Sequence, residues 1–146
     1  MQLDDLYRRV IMDHYKRPRN RGTFDADAVT INLNNPTCGD RISLQLQVED
    51  GVVKDARFTG EGCSISMASA SMMTEAVKGK ALTEALEIAD RFSAMVKGED
   101  VEFEEYEDIE ALSGVCKFPA RIKCATLAWN ALRKGADEPE GSEQDK

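Results

Sequence analysis

Residues 42–59, Ile-Ser-Leu-Gln-Leu-Gln-Val-Glu-Asp-Gly-Val-Val-Lys-Asp-Ala-Arg-Phe-Thr, decide the fold. Ile42, Leu44, Leu46 and Val48 alternate with polar residues, the period of a strand with one buried face. Asp50-Gly51 is a hairpin turn signal, so the chain returns antiparallel over 52–59. Upstream, Val29, Ile31 and Leu33 alternate in the same way and supply a third strand. Before that, Leu3, Leu6, Tyr7, Val10, Ile11 and His14 recur at helical spacing with Asp4 and Asp5 in the first turn, predicting a helix over 3–17 that Pro18 and Gly22 end. After Gly60 and Gly62 the residues are small and do not alternate, as in a closely packed helix running to about Lys78 and closed by Gly79. A further helix is predicted over 82–97, with Leu82, Ala85, Leu86, Ala89, Phe92, Met95 and Val96 on one face and Gly98 at its end. A last helix starts near Pro119, turns Ile122, Ala125, Ala128, Trp129 and Leu132 inward, and stops at Gly135. The order predicts an α+β fold, a small three-stranded antiparallel sheet with helices packed on one face and water on the other.

The chain has 146 residues, enough for one sizeable core, so a single domain is expected over 1–135 with an acidic, disordered tail over 136–146. The net charge of -8 is local in origin: residues 99–110 hold eight acids and no base, and 136–146 hold five acids and one lysine, which leaves the rest at +4. Both acidic runs read as solvated segments, and nucleic acid is not expected as a partner because phosphate binding needs a concentrated basic face. No apolar run is long enough for a membrane span, and Asp4, Asp5, Arg8 and Arg9 interrupt any signal-like stretch, so a cytoplasmic location is expected. Arg8, Arg9, Lys16, Arg17, Arg19 and Arg21 make the first helix and the turn after it basic, either a solvated face or an end that orients the molecule on a partner.

Cys38, Cys63, Cys116 and Cys124 are the four cysteines. In a reducing compartment they favour metal binding or thiol chemistry over two disulfides. Cys38 lies in the loop Asn35-Pro36-Thr37-Cys38-Gly39-Asp40 between the first two strands, and Cys63 follows Gly60-Glu61-Gly62 at the start of a helix, where the N-terminus favours anions. Cys124 falls one and a half turns into the last helix. With Asp40 the three form a Cys3Asp set suited to tetrahedral zinc. Such a site carries a charge near -2, and Arg121, one turn before Cys124, is placed to balance it. No Cys-x-x-Cys pair exists, so spacing alone leaves open that Cys63 and Cys124 are buried core cysteines and that Arg121 is a surface charge. Cys116 reads as structural, with a spare ligand or an oxidation site as its alternatives. His14, the only histidine, reads as a packed side chain, and Met67, Met72 and Met73 as helix core.

Pro36-Thr37-Cys38-Gly39-Asp40, Gly60-Glu61-Gly62-Cys63-Ser64-Ile65-Ser66 and Arg121-Ile122-Lys123-Cys124-Ala125-Thr126-Leu127-Ala128-Trp129 resemble the SufU family, zinc-dependent sulfurtransferases of iron-sulfur cluster assembly related to the IscU scaffolds. The resemblance extends to Leu6-Tyr7-Arg8-Arg9-Val10-Ile11-Met12-Asp13-His14-Tyr15 and to Pro18-Arg19-Asn20. It implies an IscU-like (SufE/NifU-like) fold, zinc held by Cys38, Asp40, Cys63 and Cys124, and Cys38 as acceptor of persulfide sulfur. It also implies a partner, the SUF-type, SufS-like, pyridoxal-phosphate cysteine desulfurase, and a role for Arg121 beside the acceptor thiolate. Two features resemble the sulfurtransferase branch more than the scaffolds: Lys123 stands where scaffolds typically carry His, and residues from about Phe92 to Phe118 look like an insertion that scaffolds lack. The alternatives are a scaffold for a [2Fe-2S] cluster, which thiolates also hold, and a noncatalytic module with a closed structural zinc.

Overall fold

Among the described residues three strands, β1 (Val29–Asn35), β2 (Asp40–Glu49) and β3 (Val52–Glu61), form one antiparallel sheet in that order. Glu49 pairs with Val52 across a two-residue turn whose central residues, Asp50 (φ 55°) and Gly51 (φ 77°), both take the positive φ of a type I′ hairpin. The ladder shifts by one residue where Gln47 pairs with Asp55 but Val48 pairs with Val53. Lys54 is therefore the extra residue of a β-bulge. Strict alternation back from Phe58 and Ala56 would turn Lys54 into the core; the bulge buries Val53 there and leaves Lys54 exposed. The inner face so formed, from Ile31 through Leu44 and Leu46 to Phe58, is buried, while Ser43, Gln45 and Gln47 of the other face remain partly exposed. The computed structural model describes residues 3–24, 28–35, 39–101, 103 and 106–137, and it describes the side chains of all of these but 3–6, 107 and 137. The expectations placed on the side chains of Leu3 and Leu6, on Cys38 and on residues 138–146 lie outside the described set.

Among the described residues four α-helices, α1 (Leu3–Lys16), α2 (Ser64–Val77), α3 (Leu82–Val96) and α4 (Pro119–Asp137), lie on the side of the inner face. α2 packs against β3 and α4 against β1 and β2, while α1 lies on α2 and α3 on α4. The helices sit on one face, as expected. α2 is enclosed nearly all round, which is why its sequence is small rather than amphipathic: Ser66, Ala68, Ser69, Ala70 and Ser71 are all buried. On α3 the buried face includes Ile88, with Leu86 only half-buried beside it.

Two expectations are corrected. α4 does not stop at Gly135 but continues to Asp137. A Cβ at Gly135 would lie 2.6 Å from Ile31 Cδ1 and 3.0 Å from Leu46 Cδ1, so this glycine lets the helix lie close on the sheet. The acidic stretch after α3 is not merely solvated. It leads into a 3-10 helix, Glu107–Lys117, that packs on α1, α3 and α4 and buries Ile109, Leu112 and Val115. Apolar residues recur every three positions at Phe103, Tyr106, Ile109, Leu112, Val115 and Phe118, and a 3-10 helix stacks positions i and i+3 on one face. The acids occupy other positions of the same segment. Among the described residues no helix is long and apolar enough to cross a membrane.

Candidate metal centre

Asp40 opens β2, paired with Asn35 at the end of β1, and the Gly39 N–H donates to the Asn35 carbonyl at 2.8 Å. The loop that contains Cys38 thus starts and ends on paired residues. The Asp40 carboxylate is fully buried. Its Oδ1 accepts the Cys63 backbone N–H at 3.0 Å, while Oδ2, also buried, has no hydrogen-bond partner among the described residues. A buried carboxylate oxygen without a partner is costly and signals a missing cation or donor. Gly62 permits the approach, because a Cβ there would lie 2.4 Å from Asp40 Oδ1 and 2.6 Å from Ser66 Oγ.

Cys63 is the N-cap of α2, where the positive end of the helix favours anionic sulfur. Its Sγ lies 3.7 Å from Ser66 Oγ, and the Ser66 hydroxyl donates to the Cys63 carbonyl at 3.1 Å. Cys124 comes from α4 and is fully buried. The ligand atoms of Asp40, Cys63 and Cys124 all lie within 4.8 Å of one another. That is near the roughly 3.3–3.8 Å separating ligands on one tetrahedral zinc with bonds of about 2.0–2.3 Å. A carboxylate, two thiols and a missing partner for Oδ2 make a donor set that fits zinc with one further ligand.

The spacing between Cys63 and Cys124 depends on how α2 sits against α4. Ser69 joins the two helices: its hydroxyl donates to the Ala125 carbonyl at 2.6 Å, next to Cys124, and accepts from Trp129 Nε1 at 3.1 Å. Trp129 is in turn stacked on Phe92, with ring centroids 4.8 Å apart. Arg121, exposed in the first turn of α4, faces the two sulfurs: negative charge on Cys63 first, then on Cys124, raises its guanidinium pKa above the ordinary arginine value.

The structure therefore brings together Asp40, Cys63, Cys124 and Arg121, whereas Cys38 is outside the described residues. Cys116 lies half-buried in the 3-10 helix and is not part of the metal-ligating group. His14 is fully buried and hydrogen-bonded, 2.7 Å from Ser71 Oγ and 2.9 Å from Asp108 Oδ2. Of the basic first helix and turn, Arg17 and Arg19 both pair with Asp13, and Arg21 donates to the Gly60 carbonyl. Sequence reasoning missed the contributions of Gly62, Ser66 and Ser69. The signal for Gly62 was present in its place immediately before a cysteine that caps a helix; the serines had none beyond the smallness of α2.

A model of the NifU-like N terminal domain matches residues 6–144. The chain is 58% identical over 140 residues to the zinc-dependent sulfurtransferase SufU of Bacillus subtilis (strain 168), covering 95% of each. It is 52% identical over 134 residues to the iron-sulfur cluster assembly scaffold protein IscU of Streptococcus pyogenes serotype M1, covering 91% of this chain and 84% of that one. Among solved structures, a candidate iron-sulfur cluster assembly scaffold protein for the SUF system from Fervidobacterium islandicum AW-1 superposes with a TM-score of 0.82 at 30% identity, covering 87% of this chain and 93% of the other.

Proposed function

The chain belongs to the family of NifU-like N-terminal domains, and from that premise we propose that it is a zinc-dependent sulfurtransferase of iron-sulfur cluster assembly, with Cys38 accepting sulfur from a cysteine desulfurase. The observation that carries the reading is the buried Asp40 carboxylate, one oxygen held by the Cys63 N–H and the other without a partner among the described residues, within 4.8 Å of two cysteine sulfurs. Asp40, Cys63 and Cys124 would hold the zinc with Cys38 as fourth ligand. Bound there, zinc would act as a Lewis acid that keeps the thiols deprotonated and protected from oxidation.

In the transfer, the Cys38 thiolate attacks the terminal sulfur of the donor's cysteine persulfide. A new S–S bond forms at Cys38, the donor's S–S bond breaks, and the donor cysteine leaves as thiolate, with no net oxidation or reduction. Cys38 is suited to leave and re-enter the site because its loop joins two strand ends, whereas Cys63 and Cys124 are fixed by helices. Arg121 supplies positive charge next to the anionic sulfur. The donor is a SUF-type pyridoxal-phosphate desulfurase, and the cytoplasm is the compartment that suits the free thiols of Cys63 and Cys116.

Alanine release by such a desulfurase tests the reading. Zinc-loaded wild type is expected to accelerate it, while Cys38→Ala and a chelated sample fall to the rate of the desulfurase alone; acceleration by Cys38→Ala equal to wild type would sink the assignment of the acceptor. The name of the Streptococcus pyogenes relative favours a second reading, a scaffold for a [2Fe-2S] cluster on the same ligands. Lys123, exposed beside Cys124, stands against it, since it replaces the histidine that the scaffolds typically carry. A reconstituted cluster that passes intact to an apo-protein would favour the scaffold.

A further inference from the structure

A groove of about 600 Å3 opens beside the metal centre, between α1, the start of α2, the 3-10 helix and the start of α4. Its wall includes Tyr7, Ile11, Ile65 and Val115, and it shares Cys63 and Arg121 with the site. Anything lying in it therefore lies against the sulfur chemistry. Two features give it a character. Phe118, the last residue of the stripe of period three, is 61% exposed on the lining, although the preceding members Ile109, Leu112 and Val115 are buried. The charged residues of the lining are Arg8, Lys117 and Arg121, all basic. Arg8 and Lys117 have no acidic partner among the described residues, unlike Arg17 and Arg19.

We propose that this groove is the docking surface for the sulfur donor and seats a segment of it in which an apolar side chain is flanked by carboxylates. Phe118 is the contact for the apolar side chain, and Arg8 and Lys117 meet the carboxylates. An apolar trough with a one-sign rim selects this chemistry: basic partner segments are repelled, and purely polar ones leave Phe118 and its neighbours wet. The inference rests on the sulfurtransferase reading, since the donor is the partner that must reach the site.

The test titrates zinc-loaded wild type, Phe118→Ser and the double variant Arg8→Glu/Lys117→Glu against a SUF-type desulfurase, following alanine release and binding at two salt concentrations. Phe118→Ser is expected to raise the half-saturating concentration roughly tenfold, as loss of an exposed aromatic anchor does, with bound zinc and the rate at saturation unchanged. The charge-reversed variant is expected to weaken binding and to lose its salt dependence. If wild type accelerates the desulfurase and both variants titrate like it, the docking inference is overturned and the sulfurtransferase reading survives. If wild type gives no acceleration, the sulfurtransferase reading fails and the assigned occupant with it. Self-association of the protein alone through Phe118, seen by sedimentation, would also overturn it by making a second copy the occupant.

Discussion

The site has two walls, and they are held in different ways. On one side α2 meets α4 through small buried side chains and the Ser69 bridge, and α3 backs α4 through the stacked pair Phe92 and Trp129. On the other, the 3-10 helix meets α1 through a polar cluster: His14 Nε2 donates to Asp108, Tyr106 lies edge-on to the imidazole, and Ser71 of α2 closes the group. The first contact is apolar at its heart and positions Cys63 against Cys124. The second is built from titratable groups, with the Asp108 side chain 40% exposed, and it positions the groove wall that includes Val115 and Phe118. A dry contact resists rearrangement, while a polar one near solvent opens at lower cost. We expect the ligand wall to be rigid and the groove wall to adapt.

The largest effect should come from breaking the dry wall. Trp129→Ala removes a side chain that is 1% exposed, the stack on Phe92 and the donor to Ser69. It is expected to cost about 3–5 kcal/mol of stability, measured by urea unfolding. Zinc affinity should fall with it, because Cys124 loses the frame that sets its distance to Cys63. A loss below about 1 kcal/mol would show that α2 and α4 are held by something other than this packing.

The same contrast explains what could be read in advance. The hairpin was legible because alternation and Asp50-Gly51 agree, and α4 was legible because Trp129 and its neighbours recur at helical spacing. The bulge at Lys54 was not: Val53 reaches the core only through a local register shift, and no periodicity announces that. The 3-10 helix was hidden by charge, since eight acids within 99–110 mask a stripe whose period is three rather than 3.6. In the site, Asp40 and the helix-capping Cys63 followed from loop and helix-start signals. Convergence with Cys124 needed the sheet and two helices in place, and the bond from Ser69 to the carbonyl of Ala125 is tertiary information that neither residue type reveals.

Breaking the polar wall should have a smaller and more local effect. His14→Leu keeps volume in a fully buried position but removes one hydrogen-bond partner from Ser71 Oγ, which still accepts from the Arg19 N–H, and one from Asp108 Oδ2. The expected loss is about 1–3 kcal/mol, the net contribution of two hydrogen bonds of which one goes to a carboxylate. Faster amide exchange should be confined largely to Glu107–Lys117 and α1, with α4 near Cys124 unchanged. Exchange that rises equally along α4 would mean that the two walls open as one unit and would end the distinction between them.

The smallest effect distinguishes the walls by pH. Burial, and then the negative charge of Asp108 and the hydrogen bond to it, raise the Tyr106 phenol above its ordinary value of 10.0. As pH climbs past that value, an unfolded chain releases the phenolic proton before the folded one does. The stability contributed by the neutral phenol is therefore complete below the unfolded pKa and is lost as pH rises through the folded one. Because Tyr106 is only half-buried, the change in global stability should be slight, and local exchange is the better readout. Between neutral pH and pH 11, protection of the 3-10 helix, corrected for the intrinsic rise in exchange rate, should fall in wild type while that of α2 and α4 holds. Tyr106→Phe should start from lower protection and stay flat over the range. A decline of the same size in Tyr106→Phe would assign the alkaline sensitivity to another group and leave the groove wall held by His14 and Asp108 without help from the phenol.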